Sequence, residues 1–125
     1  MINLLVSKKI LKKTIRITED SLFRGVYSGS GELELHGSFE GALYIKNLYI
    51  KKSGIFIGNV SAENIIVEGE MNADIQTENL HLKSTGVVDG DVMYRNIVID
   101  SGGMLKSQMV QNISKIKNLI KLINK

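Results

Sequence analysis

The sequence predicts an all-β fold, a single-chain parallel β-solenoid of about six rungs closed by a short amphipathic helix. Three observations point to it. Asparagine recurs at Asn47, Asn64, Asn79, Asn96 and Asn112, with separations of 17, 15, 17 and 16 residues. Each is followed by an apolar residue (Leu48, Ile65, Leu80, Ile97 and Ile113), and four place a second one two further on, at Ile50, Val67, Leu82 and Ile99. Upstream, a small residue stands six positions before four of the asparagines, at Gly41, Gly58, Ala73 and Gly90, flanked two residues to either side by bulky apolar groups such as Phe39 and Leu43 or Phe56 and Val60.

Period-two alternation means short strands with one buried face. A repeat of 15–17 residues is too short for any two-helix repeat. Each unit therefore reads as one rung of two or three strands, with glycine at corners where the backbone leaves the β region or crowds its neighbour. Asparagine suits a corner as well, because stacked amides can bond along the axis. One rung cannot bury its apolar face, but rungs stacked about 4.8 Å apart form a continuous core, and six make a rod of roughly 29 Å. Segment Leu33 to Asn47 superposes without gaps on Ile65 to Asn79, matching Gly37 to Gly69.

In chain order, residues 1–14 are an apolar and basic tail, 15–112 the solenoid and 113–125 the helix. Ile15-Arg16-Ile17 followed by Ser21-Leu22-Phe23-Arg24-Gly25 repeats the pattern less cleanly and reads as an opening rung over 15–32. After Asn112 the period changes. Ile113, Ile116, Leu119, Ile120 and Ile123 follow helical spacing, with lysines on the remaining face.

Composition narrows the function. The 125 residues include no cysteine, proline or tryptophan and only two histidines, His36 and His81, so disulfides, thiolate chemistry and Cys-based zinc sites are excluded. The formal charge of +3 conceals a segregation. Residues 1–17 hold Lys8, Lys9, Lys12, Lys13 and Arg16, and residues 111–125 hold Lys115, Lys117, Lys121 and Lys125, with no acid in either stretch. The middle keeps the other 7 basic residues against all 13 acids. That is a poor nucleic-acid surface, since a phosphate-tracking protein spreads its cations over the folded body. No Gly-rich phosphate loop, calcium nonapeptide or metal cluster is present, so neither nucleotide nor cofactor is expected. The longest apolar run at the front falls short of the roughly 20 residues a transmembrane helix needs and of a secretory h-region. A cytoplasmic location is expected.

The rung pattern, in particular Gly37-Ser38-Phe39-Glu40-Gly41, Gly58-Asn59-Val60, Val67-Glu68-Gly69-Glu70-Met71 and Val88-Asp89-Gly90-Asp91-Val92, resembles the bactofilins, bacterial cytoskeletal proteins. The resemblance covers about residues 15–110. It implies a right-handed β-helix that forms nucleotide-independent, non-polar filaments on the cytoplasmic face of the membrane, scaffolding cell-wall hydrolases or synthases and cell shape. Where family members often close on Gly-Ala-x-Phe-x-Gly, this chain has Gly102-Gly103-Met104-Leu105-Lys106.

The physics of a solenoid leads to the same function by another route. Its terminal rungs expose unpaired backbone groups that invite another chain. Two-fold contacts must be isologous, so stacking head to head at the first rung and tail to tail at the last gives a filament without polarity. Ile15, Ile17, Phe23 and Gly25 are the expected contacts at one end, and Ile97, Ile99, Met104 and Leu105 at the other. Met1, Ile2, Leu4, Leu5 and Val6, followed by Lys8, Lys9, Lys12 and Lys13, combine a small apolar insertion with a polybasic segment suited to an anionic membrane surface. The C-terminal helix, through Ile113, Ile116, Leu119, Ile120 and Ile123, has two readings: a cap on the last rung or a second surface anchor. If it caps, the protein is instead a monomeric or dimeric module that binds a cell-wall enzyme or membrane protein through a face bearing Tyr44, Tyr49 and Tyr94. His36 and His81 lie in different rungs at outward or corner positions, and no enzymatic activity is expected.

Overall fold

The computed structural model describes residues 14–106 and 109–111. These form ten strands in one continuously wound parallel sheet: β1 Thr14–Ile17, β2 Leu22–Ser28, β3 Glu32–Leu35, β4 Ser38–Ile50, β5 Ile55–Val67, β6 Glu70–Leu82, β7 Val87–Asp89, β8 Val92–Ile99, β9 Met104–Leu105 and β10 Met109–Gln111. Every pairing is parallel and joins one turn to the next. The result is an all-β solenoid of about five turns. The expected count of six rungs is not reached in full: the last turn holds only the Asn96–Ile99 part of β8 with the short β9 and β10, and the expected helix over 113–125 lies outside the described residues.

Each turn has three paired segments, hence three walls. The first holds β1, β3 and the second halves of β4, β5, β6 and β8. The second begins with β2 and the starts of β4, β5 and β6, continuing in β7 and β9. The third follows the glycine corner and ends on β10. Alternation sends one residue in two inward, and registration stacks like on like. Leu33, Leu48, Ile65 and Leu80 form one buried column, Leu35, Ile50, Val67 and Leu82 a second, and Phe39, Phe56, Met71 and Val88 a third. Phe39 and Phe56 stack with centroids 5.0 Å apart and planes within 8°. Burying each such side chain stabilises the fold by about 1.5–3 kcal/mol. Thr77 is the only buried polar side chain among the described residues, and its hydroxyl donates to the Glu63 and Asn79 carbonyls.

The asparagines form a ladder, as expected. Asn64 Nδ2 donates to Asn47 Oδ1 at 2.8 Å, Asn79 to Asn64 at 2.8 Å and Asn96 to Asn79 at 2.9 Å. Asn112 lies outside the described residues. The glycine column is equally literal. Gly41 and Gly58 are in register at φ +137° and +133°, and a Cβ on Gly58 would strike the Gly41 carbonyl oxygen.

The uneven spacing comes from the corner between the first and second walls. After β3 and after β5 that corner is two residues, His36-Gly37 and Glu68-Gly69. After β4 and β6 it is four, Lys51–Gly54 and Lys83–Gly86, each closed by a Gly N–H donating three residues back at 2.8 and 2.9 Å. Each longer turn braces the shorter corner before it, Ser53 Oγ donating to the His36 carbonyl and Thr85 Oγ1 to that of Glu68, both at 2.7 Å. The two extra residues in the corners after β4 and β6 convert 15 into 17.

Candidate self-assembly surfaces

At the N-terminal end, the outer edges of β1 and β2 have no partner strand among the described residues. Their inward residues extend the core columns to the open end: Ile15 on Leu33, Ile17 on Leu35, Phe23 on Phe39 and Tyr27 on Leu43. Ile15, Phe23 and Tyr27 are half-buried against the core, and Ile17 is 9% exposed. Phe23 stacks on Phe39 at 4.7 Å and 20°, with one ring face covered and the other turned to the end. Gly25, at φ +140°, brings exposed backbone to the corner. Tyr27 belongs to this surface although the sequence reading passed over it; its place two residues after the corner glycine, the position of Leu43, was the available signal.

At the other end Ile97 and Leu105 are half-buried, while Ile99 is 45% exposed at the end of its column. Met104, 52% exposed, follows Val87 on the outer side of the second wall, so it flanks this end instead of continuing a core column. Among the described residues, both ends therefore present apolar column ends ringed by strand edges, the arrangement that accepts further strands in the same register. The membrane-tail residues Met1 to Lys13 and the C-terminal residues Ile113 to Ile123 lie outside the described residues.

Polar groups on the walls tie successive turns together. Arg16 reaches Glu34 at 3.3 Å, Arg24 reaches Glu40 at 2.8 Å, Arg95 reaches Glu78 at 3.2 Å and Lys51 reaches Glu68 at 3.8 Å. Exposed pairs of this kind contribute about 0–1 kcal/mol each. The two histidines are apart and separately engaged, His36 Nε2 2.7 Å from Glu34 Oε1 and His81 Nε2 3.0 Å from Asp100 Oδ1. The hydrogen bond from His36 is the main cause holding the Glu34 carboxyl below its usual range; desolvation opposes it, while the charges of Arg16, Lys51 and His36 assist. Among the described residues no group of three His, Asp or Glu could hold a metal ion.

The expected tyrosine face is not formed. Tyr44 is 50% exposed on the third wall and Tyr49 half-buried on the first, but Tyr94 is buried at 7% because it registers with Ala62 and Thr77. Tyr44 registers instead with Ser61 and, through Gln76, with Met93.

A family model described as bactofilin, polymer-forming cytoskeletal, matches residues 15–110. No curated protein matches the sequence. Among solved structures, the chain is similar to the bactofilin of Thermus thermophilus in a cryo-EM reconstruction of double helical filaments. The two are 18% identical with a TM-score of 0.69, over 77% of this chain and 99% of that one. At that identity the likeness concerns the fold.

Proposed function

The chain belongs to the bactofilin family of polymer-forming cytoskeletal proteins, and on that premise we propose that it polymerises by stacking rods end to end without nucleotide. One isologous contact joins the β1–β2 ends of two rods and another joins the ends bearing Ile97, Ile99 and Leu105, so the filament has no polarity. The observation that carries this reading is that the apolar columns run to both ends of the rod, where strand edges stand unpaired among the described residues. A right-handed winding and six full rungs belong to the same reading, and the role is structural, not catalytic. The filaments lie on the cytoplasmic face of the membrane, where they place cell-wall enzymes or support cell shape.

Attachment falls to residues 1–14. Each lysine near an anionic surface contributes about 1 kcal/mol, and the apolar residues before them add insertion. A single tail binds weakly, whereas a filament displays many and gains avidity. Among the described residues no helix is long and apolar enough to cross a membrane.

The test is negative-stain electron microscopy of the full chain, without nucleotide, beside a version ending at Gln111. Filaments from both are expected. Filaments from neither would overturn the reading in favour of a monomeric or dimeric binding module. Deleting residues 1–8 is expected to abolish co-sedimentation with anionic liposomes while leaving filaments intact, and unchanged co-sedimentation would remove the tail from the membrane role.

A further inference from the structure

Of the exposed large apolar side chains, Leu22, Ile55, Ile57 and Met104 share one face, the outside of the second wall. Ile55 and Ile57, 38% and 44% exposed, stand two residues apart on β5 and so side by side on that face. Register arranges the outward residues in two columns. One runs Leu22, Ser38, Ile55, Glu70, Val87 and Met104, and the other Arg24, Glu40, Ile57, Asn72 and Asp89. These columns hold one base against three acids, which suits the face poorly to an anionic bilayer and favours a protein partner.

The order of residues along the columns selects that partner. Two walls meeting face to face pack about 10 Å apart. A two-fold axis lying between them along the strands turns the rods antiparallel, and each column then faces its own copy. With that axis level with the start of β5, Ile55 and Ile57 meet themselves, Leu22 meets Val87, and Arg24 meets Asp89. Ser38 meets Glu70, to which its hydroxyl can donate, and Glu40 meets Asn72. Apolar faces apolar, and the one base faces an acid. Shifting the axis by half a turn opposes Glu40 to Asp89 in one direction and to Ile57 in the other, while a full turn opposes Glu70 or Glu40 to itself. An axis along the rod would make the copies parallel and cross the columns, setting Leu22 against Arg24 and Val87 against Asp89.

We propose that the second wall is a two-fold interface between antiparallel copies of this chain, which pairs the rods of neighbouring filaments side by side. This pairing rests on the end-to-end polymerisation proposed above, because the contact is small. Five turns about 4.8 Å apart, each contributing about four residues at about 3.3 Å, give a footprint on the order of 300 Å² per copy. The total of about 600 Å² falls short of the roughly 1,200–2,000 Å² of a stable interface. Single rods therefore pair weakly, whereas a filament repeats the contact along its length and gains avidity. A filament without polarity presents rods in both directions, so it offers the antiparallel partners that the contact needs.

Because Ile57 faces its own copy, a charge placed there meets itself. Full-length Ile57→Lys and Ile57→Glu, with the fold checked by circular dichroism, are each expected to form filaments of wild-type length. Their paired fraction, scored by filament width in cryo-electron microscopy, should fall at least about tenfold. Filaments of the two variants, grown separately and then mixed in equal amounts, should pair again, since lysine now faces glutamate. Paired filaments from either variant alone, single filaments from the mixture, or single filaments from the wild type would each overturn the proposal. Absence of any filament from the wild type would instead remove polymerisation itself, and the pairing with it. Loss of co-sedimentation with phosphatidylglycerol vesicles in Ile57→Glu but not in Ile57→Lys would make the occupant of the wall a membrane, and would likewise overturn the proposal.

Discussion

Replacing Phe23 with aspartate tests the head-to-head contact at its centre. The ring lies 4.7 Å from Phe39, which in turn stacks on Phe56, so one face is already covered and the other is available to a neighbour. A phenylalanine buries about 150–250 Å² in full; about half remains to be buried here, and the two rings of an isologous contact together remove roughly 200 Å² from water. At about 25 cal/mol per Å² that is about 5 kcal/mol. Two carboxylates brought about 5 Å apart across the same contact repel by about 3 kcal/mol at an effective dielectric near 20. The loss of about 8 kcal/mol weakens that contact by a factor on the order of 10⁵ or more, beyond rescue by concentration. The other end is untouched. The expected product is therefore a tail-to-tail dimer of about 28 kDa, twice the 13.9 kDa chain, seen by sedimentation velocity and by the absence of filaments in the microscope. Ile99→Asp should give the complementary head-to-head dimer, and the double variant a monomer. Filaments of wild-type length from Phe23→Asp would refute the reasoning, provided circular dichroism shows the fold retained.

Further consequences follow from the ladder, the glycine column and the first turn. Asn79→Leu removes one amide bond donated to Asn64 and one accepted from Asn96, and should cost about 2 kcal/mol, lowering Tm by roughly 8–15 °C, whereas Asn96→Leu loses one bond, to Asn79, among the described residues and on that count should cost about half. Equal thermal shifts would remove the additive ladder. Gly58→Ala meets both a positive φ and the Gly41 carbonyl, and should cost more than about 3 kcal/mol in urea unfolding, whereas Gly25→Ala at φ +140°, with Phe23 carbons 3.8 Å away as its nearest contact, should cost only about 1–2 kcal/mol of strain. Comparable losses would mean that the overlying carbonyl is irrelevant. Glu34 is depressed below its usual range, so it contributes stability above that range that is lost as pH falls through the folded-state value. The urea midpoint should drop between pH 6 and pH 3, and the drop should shrink in Glu34→Gln; an identical acid limb in both proteins would exclude this linkage.

Much of this was legible in the residues because a solenoid writes its geometry locally. Alternation around Gly41, Gly58, Ala73 and Gly90 set which side chains face inward, and the asparagine spacing set the register that the amide bonds later confirmed. A second glycine column at Gly37, Gly54, Gly69, Gly86 and Gly103 was visible in part, through the match of Gly37 to Gly69, but its reason was not. A Cβ on Gly37, Gly54, Gly69 or Gly86 would strike a carbonyl of a neighbouring turn, a contact between residues far apart in sequence. Tyr94 was misread by a single residue. Tyr44 stands three before Asn47 while Tyr94 stands two before Asn96, and in a strand one residue of register exchanges the solvent face for the core.

By itself, then, the sequence determined the winding unit, its polar ladder and the apolar columns, because these depend on spacing within one rung and its repetition. Only the tertiary structure decided how corners of two and four residues fit together, why Met104 flanks its end while Ile99 completes a core column, and which outward residues share the second wall. Those features arise where the corner of one turn rests on the next, and packing between turns, not periodicity along the chain, fixes their direction.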